Sequence, residues 1–506
     1  MAKGDKKTPK PLPPETLRSE LIVTTKPGVA LDIAALEAKV RSAGGTRARV
    51  KPLFGDRETL MRRSEMLRSR GVRAPDLTGL YEITAPEAKY DEIIAALRTL
   101  RSVASVYRKP PADAPQPPAP APPPYSCEET ACRPCCWAPE RTPSFESRQY
   151  FLDPAPGGID ARHAWTRPGG RGQNVRIVDV EREWRFSHQD LVGGGVASGV
   201  PLGGLPVNCL RERNHGTAVF GILSGVRNGI GITGICPDAQ VFGYSTRIPG
   251  EPANQIPGTA NTAAAILETT WELTGHYTDF TSGHIILLEL QRVHPTTGYN
   301  IPVEWWWDDF LAIQTATACG LIVVAAAGNG HPATFDGADL DAAIYDNPLP
   351  SSDPNWRNPF KCGAIGGVIG RLMDSGSILV GAGAPPLGTP RADRSRLRYS
   401  NYGTCVDVQG WGQEVVTTGY GCMQGGPDED KWYMGDFGGT SAASAMIAGA
   451  LACVQGHDRA TGQAPLTSKG ARDLLKAGGS PQVADGPQYP LGQHIGPRPD
   501  LLPLIP

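Results

Sequence analysis

In the stretch GDFGGTSAASAMIAGALA, Gly435 to Ala452, a serine stands where an apolar, alanine-rich helix begins. That hydroxyl, Ser441, is either a helix cap or a nucleophile, because a buried polar atom without a partner costs roughly 1–3 kcal/mol. A serine attacks only when a neutral imidazole takes its proton, and His215 in NHGTAVFGILSG is the candidate base. Asp179, ending the apolar run VRIVD, is the candidate carboxylate that sets the imidazole tautomer and stabilises the imidazolium. The tetrahedral intermediate of acyl transfer carries a new negative oxygen. Asn329 in VVAAAGNG offers a side-chain amide to it and the Ser441 backbone N–H a second donor, one such donor being worth roughly 10²–10³ in rate. Asp, His, Ser in that chain order is a known order for a charge-assisted triad.

The elements that must position these groups follow from apolar patterning. Asn174 to Val180, Gln240 to Ser245, His284 to Leu290 and Leu321 to Ala327 are continuous apolar runs of the kind buried on both faces. Helical patterns lie between them, near Thr217 to Ser224, Thr262 to Leu273 and Trp307 to Cys319. The expectation is an α/β domain from residue 149 to 506, a parallel sheet with helices on both faces and its ligands at the carboxyl ends of the strands. The tryptophans Trp305, Trp306 and Trp307 read as an anchor for the following helix. Gly229 to Gly234, GIGITG, follows a helix and leads to a strand, the reverse of a dinucleotide fingerprint, and reads as a tight turn.

Upstream, residues 19 to 108 read as a small α+β unit: strands at Leu21 to Thr25, Thr46 to Phe54, Leu80 to Ala85 and Ser102 to Arg108, helices at Asp32 to Ala43 and Glu87 to Leu100. That is the β-α-β-β-α-β order of a ferredoxin-like domain. Residues 1 to 18 are a basic, Pro-rich tail. The stretch from 109 to 148 is a Pro- and Cys-rich linker, read as an extended spacer that joins neither core. Four cysteines between Cys127 and Cys136 are suited to local disulfides or thiols, with zinc the weaker alternative because no second CxxC or His pair follows at finger spacing.

A net charge of −2 gives no electrostatic reason to expect nucleic acid or an anionic membrane as partner. The lysines of the N-terminus precede no apolar stretch, and no run is long enough to span a bilayer. The expectation is a cytoplasmic protein as synthesised, with most of its eleven cysteines reduced.

The blocks VDVEREWRFSHQDL, NHGTAVFGI, AAAGNG and GGTSAASAMIAG together resemble the Asp, His, oxyanion-Asn and Ser motifs of the subtilisin-like serine proteases. The resemblance implies an endopeptidase with Asp179, His215 and Ser441 as triad, Asn329 as oxyanion residue, no cofactor for the chemistry, and a protein or peptide substrate for a monomeric enzyme. The N-terminal unit is similar to that family's propeptide, which implies an inhibitor of its own chain, removed by self-cleavage between about Lys109 and Arg148. Asp190 and Asn228 match side-chain ligands of the family's calcium loop, and Gly328, Glu289 and Gln291 stand where the family lines its substrate cleft. The sequence departs from the family at Val180 and Glu181 after the triad Asp, at Ala445 where a proline is usual, and at Ala218. Glu289 implies a preference for cationic side chains, and Glu181 reads as a solvated or salt-bridged loop acid. The alternative is a catalytically silent relative that binds peptides or a regulatory partner.

Overall fold

The computed structural model describes residues 19–26, 32–113, 137–196, 201–205, 209–247, 261–345, 364–365, 368–369 and 374–506. The Cys127 to Cys136 cluster and most of the Pro-rich stretch lie outside them.

The N-terminal unit runs β1 (Glu20–Thr25), α1 (Ile33–Gly44), β2 (Arg49–Pro52), α2 (Arg57–Ser69), β3 (Leu80–Thr84), α3 (Tyr90–Leu97) and β4 (Val103–Lys109). Its antiparallel sheet has the order β2-β3-β1-β4. Asp32 caps α1 by accepting the Ala35 N–H at 2.9 Å, and Leu36, Val40, Ile93 and Leu97 close one core beneath the sheet. Helix α2 was not anticipated. It carries only two buried residues, Leu60 and Leu67, among many charges, so its own periodicity is weak. Its apolar side is completed by the neighbouring domain, where Leu67 packs with Tyr277 and Cys319.

The spacer reading fails at its start. Lys109 and Ala112 are buried, and Ala112–Asp113 forms a short strand, β5. Lys109 Nζ contacts Asp308 and lies 2.8 Å from Asp309 Oδ1, while Arg292 Nε donates to Asp309 Oδ2 at 3.0 Å and Tyr107 Oη to Asp308 Oδ1 at 3.0 Å. All these side chains are buried, and burial raises the Glu20 carboxyl beside them. With Glu20 neutral, two cations face two carboxylates and the cluster balances.

The second domain contains β6 (Arg176–Glu181), α4 (Leu210–Ser224), β7 (Gln240–Ser245), α5 (Thr262–Leu273), β8 (Ile285–Leu288), β9 (Gln291–Val293), β10 (Asn300–Pro302), α6 (Trp307–Ala318), β11 (Ile322–Ala326), β12 (Ile378–Gly383) and β13 (Val408–Trp411). A two-stranded ribbon of β14 (Val415–Thr418) and β15 (Tyr433–Phe437) leads into α7 (Gly439–Ala460), and α8 (Ser468–Gly478) follows. The parallel sheet has the order β13-β12-β11-β8-β6-β7. Helices α4 and α7 pack on one face, α5 and α6 on the other, each over a separate apolar core. The chain goes from β6 outward to β7, then returns past β6 to β8, so the sheet's switch of direction falls between β6 and β8. Trp305 and Trp306 are buried at the start of α6, as an anchor requires.

Cys422 is disulfide-bonded, whereas Cys209, Cys236, Cys319, Cys405 and Cys453 are buried thiols. Among the described residues no helix is long and apolar enough to cross a membrane.

Removing one partner from a buried charge cluster leaves the others uncompensated. Lys109→Met is therefore expected to cost about 3–5 kcal/mol, read as a lower denaturant midpoint of the full chain. The exposed Lys469→Met leaves that midpoint in place.

Candidate active site

The nucleophile candidate sits at the end of a forced turn. Gly438 is the N-cap of α7, and Gly439 has φ +86°, a left-handed conformation that a side chain resists. Two residues on, Ser441 lies in the first helical turn, where unpaired backbone N–H groups and the helix dipole favour negative charge. His215 lies in α4, which packs directly against α7. Its Nε2 is 3.0 Å from Ser441 Oγ and its Nδ1 is 2.7 Å from Glu181 Oε2. With the imidazole neutral, Nδ1–H donates to Glu181 and Nε2 accepts from the Ser441 hydroxyl. Burial lowers the His215 pKa below its ordinary value, which keeps the ring neutral and able to accept.

The structure thus brings His215 and Ser441 together and corrects the third position. The expected carboxylate, Asp179, is not the imidazole's hydrogen-bond partner; Glu181 is. Neither is Glu181 a solvated loop acid, since it has no exposed surface. The reason is strand geometry. Residues two apart on β6 share one face, and Glu181 stands about 6–7 Å closer to the carboxyl end of the sheet, with one more methylene of reach. Asp179 lies behind it, its Oδ2 accepting the Trp184 indole N–H at 2.8 Å. Trp184 is itself held by stacking on Phe220, ring centroids 5.8 Å apart. Asp179 Oδ1 and Glu181 Oε1 have no donor in the protein, and the two carboxyls face each other. Burial raises both pKa values, and the neighbouring Glu181 charge raises Asp179 further. One shared proton satisfies such a pair. The signal for Glu181 was present as the alternation Asp179-Val180-Glu181.

Asn329 follows β11, next to Gly328 at φ +96°. Its Oδ1 accepts from the Thr440 N–H at 2.8 Å and from Thr440 Oγ1 at 2.9 Å, which fixes the amide against the start of α7. Gly328 is buried with Asn300 O and Asn401 Nδ2 close to its Cα hydrogens, so the backbone approach there admits no side chain. Gln291 accepts the Asn329 backbone N–H at 2.8 Å through Oε1 and so holds the Asn329 loop.

The backbone of Gln291 belongs to β9, and β5 of the N-terminal unit pairs with it antiparallel, Asp113 opposite Gln291 and Ala112 opposite Arg292. Asp113 also receives Arg211 at 3.2 Å from the start of α4. Ser441 and His215 have no exposed surface in this closed arrangement.

Two further expectations are corrected. Glu289 has no exposed surface and packs beside Asp179, Ser441 and Ser444, between the end of β8 and α7, rather than lining an open pocket for a cationic side chain. Asp190 and Asn228 do not fit a cation. Asn228 donates its amide N–H to Asp190 Oδ1 at 2.9 Å, Ile232 N–H donates to Asp190 Oδ2 at 2.7 Å, and Asn228 Oδ1 accepts the Ile230 N–H at 3.0 Å. The oxygens a calcium ion would need are already spent on protein donors.

A doubly covered parallel sheet, with an imidazole at its rim joining a carboxylate to a serine on the first turn of a helix, places the molecule among the α/β serine hydrolases. The chain matches the Subtilase family over residues 206–477, more than half of its length, and belongs to that family. The matched stretch holds His215, Asn329 and Ser441 and begins beyond Asp179 and Glu181. A thermophilic serine proteinase from Bacillus sp. (strain AK1) is 26% identical over 326 residues, 64% of this chain and 61% of that protein. The chain therefore spans less than two thirds of that relative's length. The fold is shared with fervidolysin from Fervidobacterium pennivorans, a keratinolytic enzyme related to subtilisin, at TM-score 0.53 and 16% identity over 96% of this chain and 60% of that one. It is also shared with the epidermin leader peptide processing serine protease of Staphylococcus aureus, at TM-score 0.52 and 15% identity over 97% and 98% of the two chains.

If Glu181 is the imidazole's partner, Glu181→Gln slows phosphonylation of Ser441 by a fluorophosphonate probe by roughly 10³–10⁴-fold, as loss of a triad carboxylate does. Asp179→Asn costs far less, about tenfold on the scale of a lost supporting hydrogen bond. The ratio of the two labelling rates decides between the carboxylates. Separately, Asn228→Ala lowers the thermal midpoint by the same few degrees in calcium and in EDTA.

Proposed function

We propose that the chain is a serine endopeptidase that uses Ser441 as nucleophile, His215 as general base and then acid, and Glu181 as the carboxylate behind the imidazole. The observation that carries this reading is the hydrogen-bonded line Glu181–His215–Ser441, unbroken and shielded from water. In acylation, the Ser441 proton passes to His215 Nε2 as Oγ attacks the scissile carbonyl, and Glu181 faces the imidazolium that forms. On this reading the Asn329 amide N–H and the Ser441 backbone N–H donate to the developing oxyanion. His215 then returns the proton to the leaving amine, and water repeats the sequence on the acyl-enzyme. Asp179, tethered by Trp184, supports Glu181 and makes no contact with substrate.

The N-terminal domain acts on this reading as an inhibitor of its own chain. Strand β5 adds to β9 in the manner of an extended peptide laid along a sheet edge, where main-chain pairing gives affinity. The buried Lys109 cluster then holds the domain in place until the chain is cut. Asp113 is bound to β9, and Thr142 and Phe145 are already packed in the second domain, so cleavage falls between Asp113 and Thr142.

Expression of the wild type beside Ser441→Ala, with chain length followed by mass spectrometry, tests this. The wild type shortens to a fragment starting between those residues, and the variant stays at 506 residues. Cleavage that persists in the variant would assign processing to an external protease, and a wild type that neither shortens nor reacts with an active-site serine probe would overturn the enzyme reading.

A further inference from the structure

Glu289 is a carboxyl group that the mechanism above does not use, and it lies against the nucleophile. The parallel register sets Asp179 level with Leu287, and Glu289 follows two residues on, just past the end of β8. Its side chain has no exposed surface, neither oxygen meets the geometry of a hydrogen bond, and the hydroxyls beside it are those of Ser441 and Ser444. The groups facing it are Asp179 and Glu181 from β6 and those two serines from α7, with His215 of α4 beyond Ser441. None of them is a lysine or an arginine, and among the described residues no ion pair reaches Glu289. Three buried carboxyls therefore gather around one imidazole, and among the described residues no lysine or arginine pairs with Glu289 itself.

Proton bookkeeping settles which way the hydrogen bonds point. The Ser444 hydroxyl donates to Thr440 O, and the Ser441 hydroxyl donates to His215 Nε2. Both serine protons are committed, so only oxygen lone pairs face Glu289. A carboxylate there meets lone pairs without a donor, while a carboxylic acid has an O–H to give. We propose that Glu289 is a neutral carboxylic acid that positions the nucleophile, its O–H directed at the lone pairs of Ser441 Oγ so that the serine proton stays turned toward His215. The inference rests on the reading of Ser441 and His215 as nucleophile and base. Burial, and the Asp179 charge after it, push the Glu289 pKa well above the ordinary carboxyl range, in agreement with this state. Ionisation inverts the arrangement, because a carboxylate draws the Ser441 O–H away from the imidazole and adds a negative charge beside the carbonyl group whose oxygen becomes the oxyanion when Oγ attacks. Glu289 is thereby a positioning residue with its own alkaline limit on activity.

The test uses the full chain in three forms: wild type, Glu289→Gln, which keeps a neutral donor of the same shape, and Glu289→Leu, which keeps neither. Infrared difference spectra of wild type against Glu289→Gln at neutral pH report protonation without any need for turnover. The expected result is a carbonyl-stretch band of a protonated carboxylic acid present in the wild type and lost in the variant. Fluorophosphonate labelling of Ser441 against pH then reads the role. Wild type falls away at alkaline pH, Glu289→Gln restores labelling to within about fivefold and loses that alkaline fall, and Glu289→Leu labels at least about tenfold more slowly at every pH. Absence of the protonated band, or an alkaline fall unchanged in Glu289→Gln, overturns the proposal. A wild type with the band but with no labelling of Ser441 at any pH would leave Glu289 a neutral acid and sink the nucleophile reading instead.

Discussion

Burial of His215 between Glu181 and Ser441 is the constraint on which the rest of the site depends. Taken out of water, an imidazole resists protonation, so it waits as a base. Once it has accepted the serine proton, it needs a negative partner within hydrogen-bond reach. A water-exposed pair could share that duty with solvent, whereas a buried one cannot. The Glu181–Nδ1 contact at 2.7 Å is therefore what allows an imidazolium to exist in this core at all. The same exclusion of water raises the Asp179 and Glu181 carboxyls, and it explains why the two tolerate each other at close range: with one proton between them they carry one charge.

Topology decides which groups meet. The switch of direction falls between β6 and β8, and three acids gather near the carboxyl ends of these strands: Asp179 and Glu181 on β6 and Glu289 just past β8. Helices α4 and α7, packed together on one face of the sheet, bring His215 and Ser441 to the same rim. The Asn329 loop at the end of β11 is tied to α7 through Thr440 and to β9 through Gln291, so hydrogen bonds join the amide, the helix start and the β9 edge. The N-terminal domain uses that edge too. Its strand β5 occupies β9 while the Lys109, Arg292, Asp308 and Asp309 cluster fastens the domain behind it. A buried cluster of this kind adds little net stability over apolar packing but is strict about geometry, since any missing partner leaves a stranded charge.

Much of this was legible along the chain. Four of the six sheet strands were readable as continuous apolar runs because a doubly covered parallel sheet buries both faces of its strands. The helix at Thr262–Leu273 matches its pattern residue for residue. His215, Asn329 and Ser441 stood out because each is a polar residue at the edge of an apolar stretch. Glu181, by contrast, looked like the acid that happens to follow a motif. Glu289 looked like a residue at a cleft, although its side chain points into the core. Asp190 and Asn228 have the right chemistry for calcium, and only their mutual hydrogen bond, with Asn228 turned to donate, shows that their oxygens are already engaged. Helix α2 escaped notice because the surface it covers belongs to another domain.

What the sequence determined by itself is the inventory: which strands are buried, which residues can act as nucleophile, base and amide donor, and that a small α+β unit precedes the catalytic one. These are local properties, set by side-chain type and by periods of two and 3.6 residues, and they need no knowledge of distant neighbours. Only the tertiary structure decided which of two carboxylates on one strand face reaches the imidazole, and which acid sits dry against the serine. A difference of about one residue pair along a strand, combined with one methylene of side-chain length, separates a supporting acid from a hydrogen-bond partner. That difference is read only when an opposing helix fixes where the ring stands.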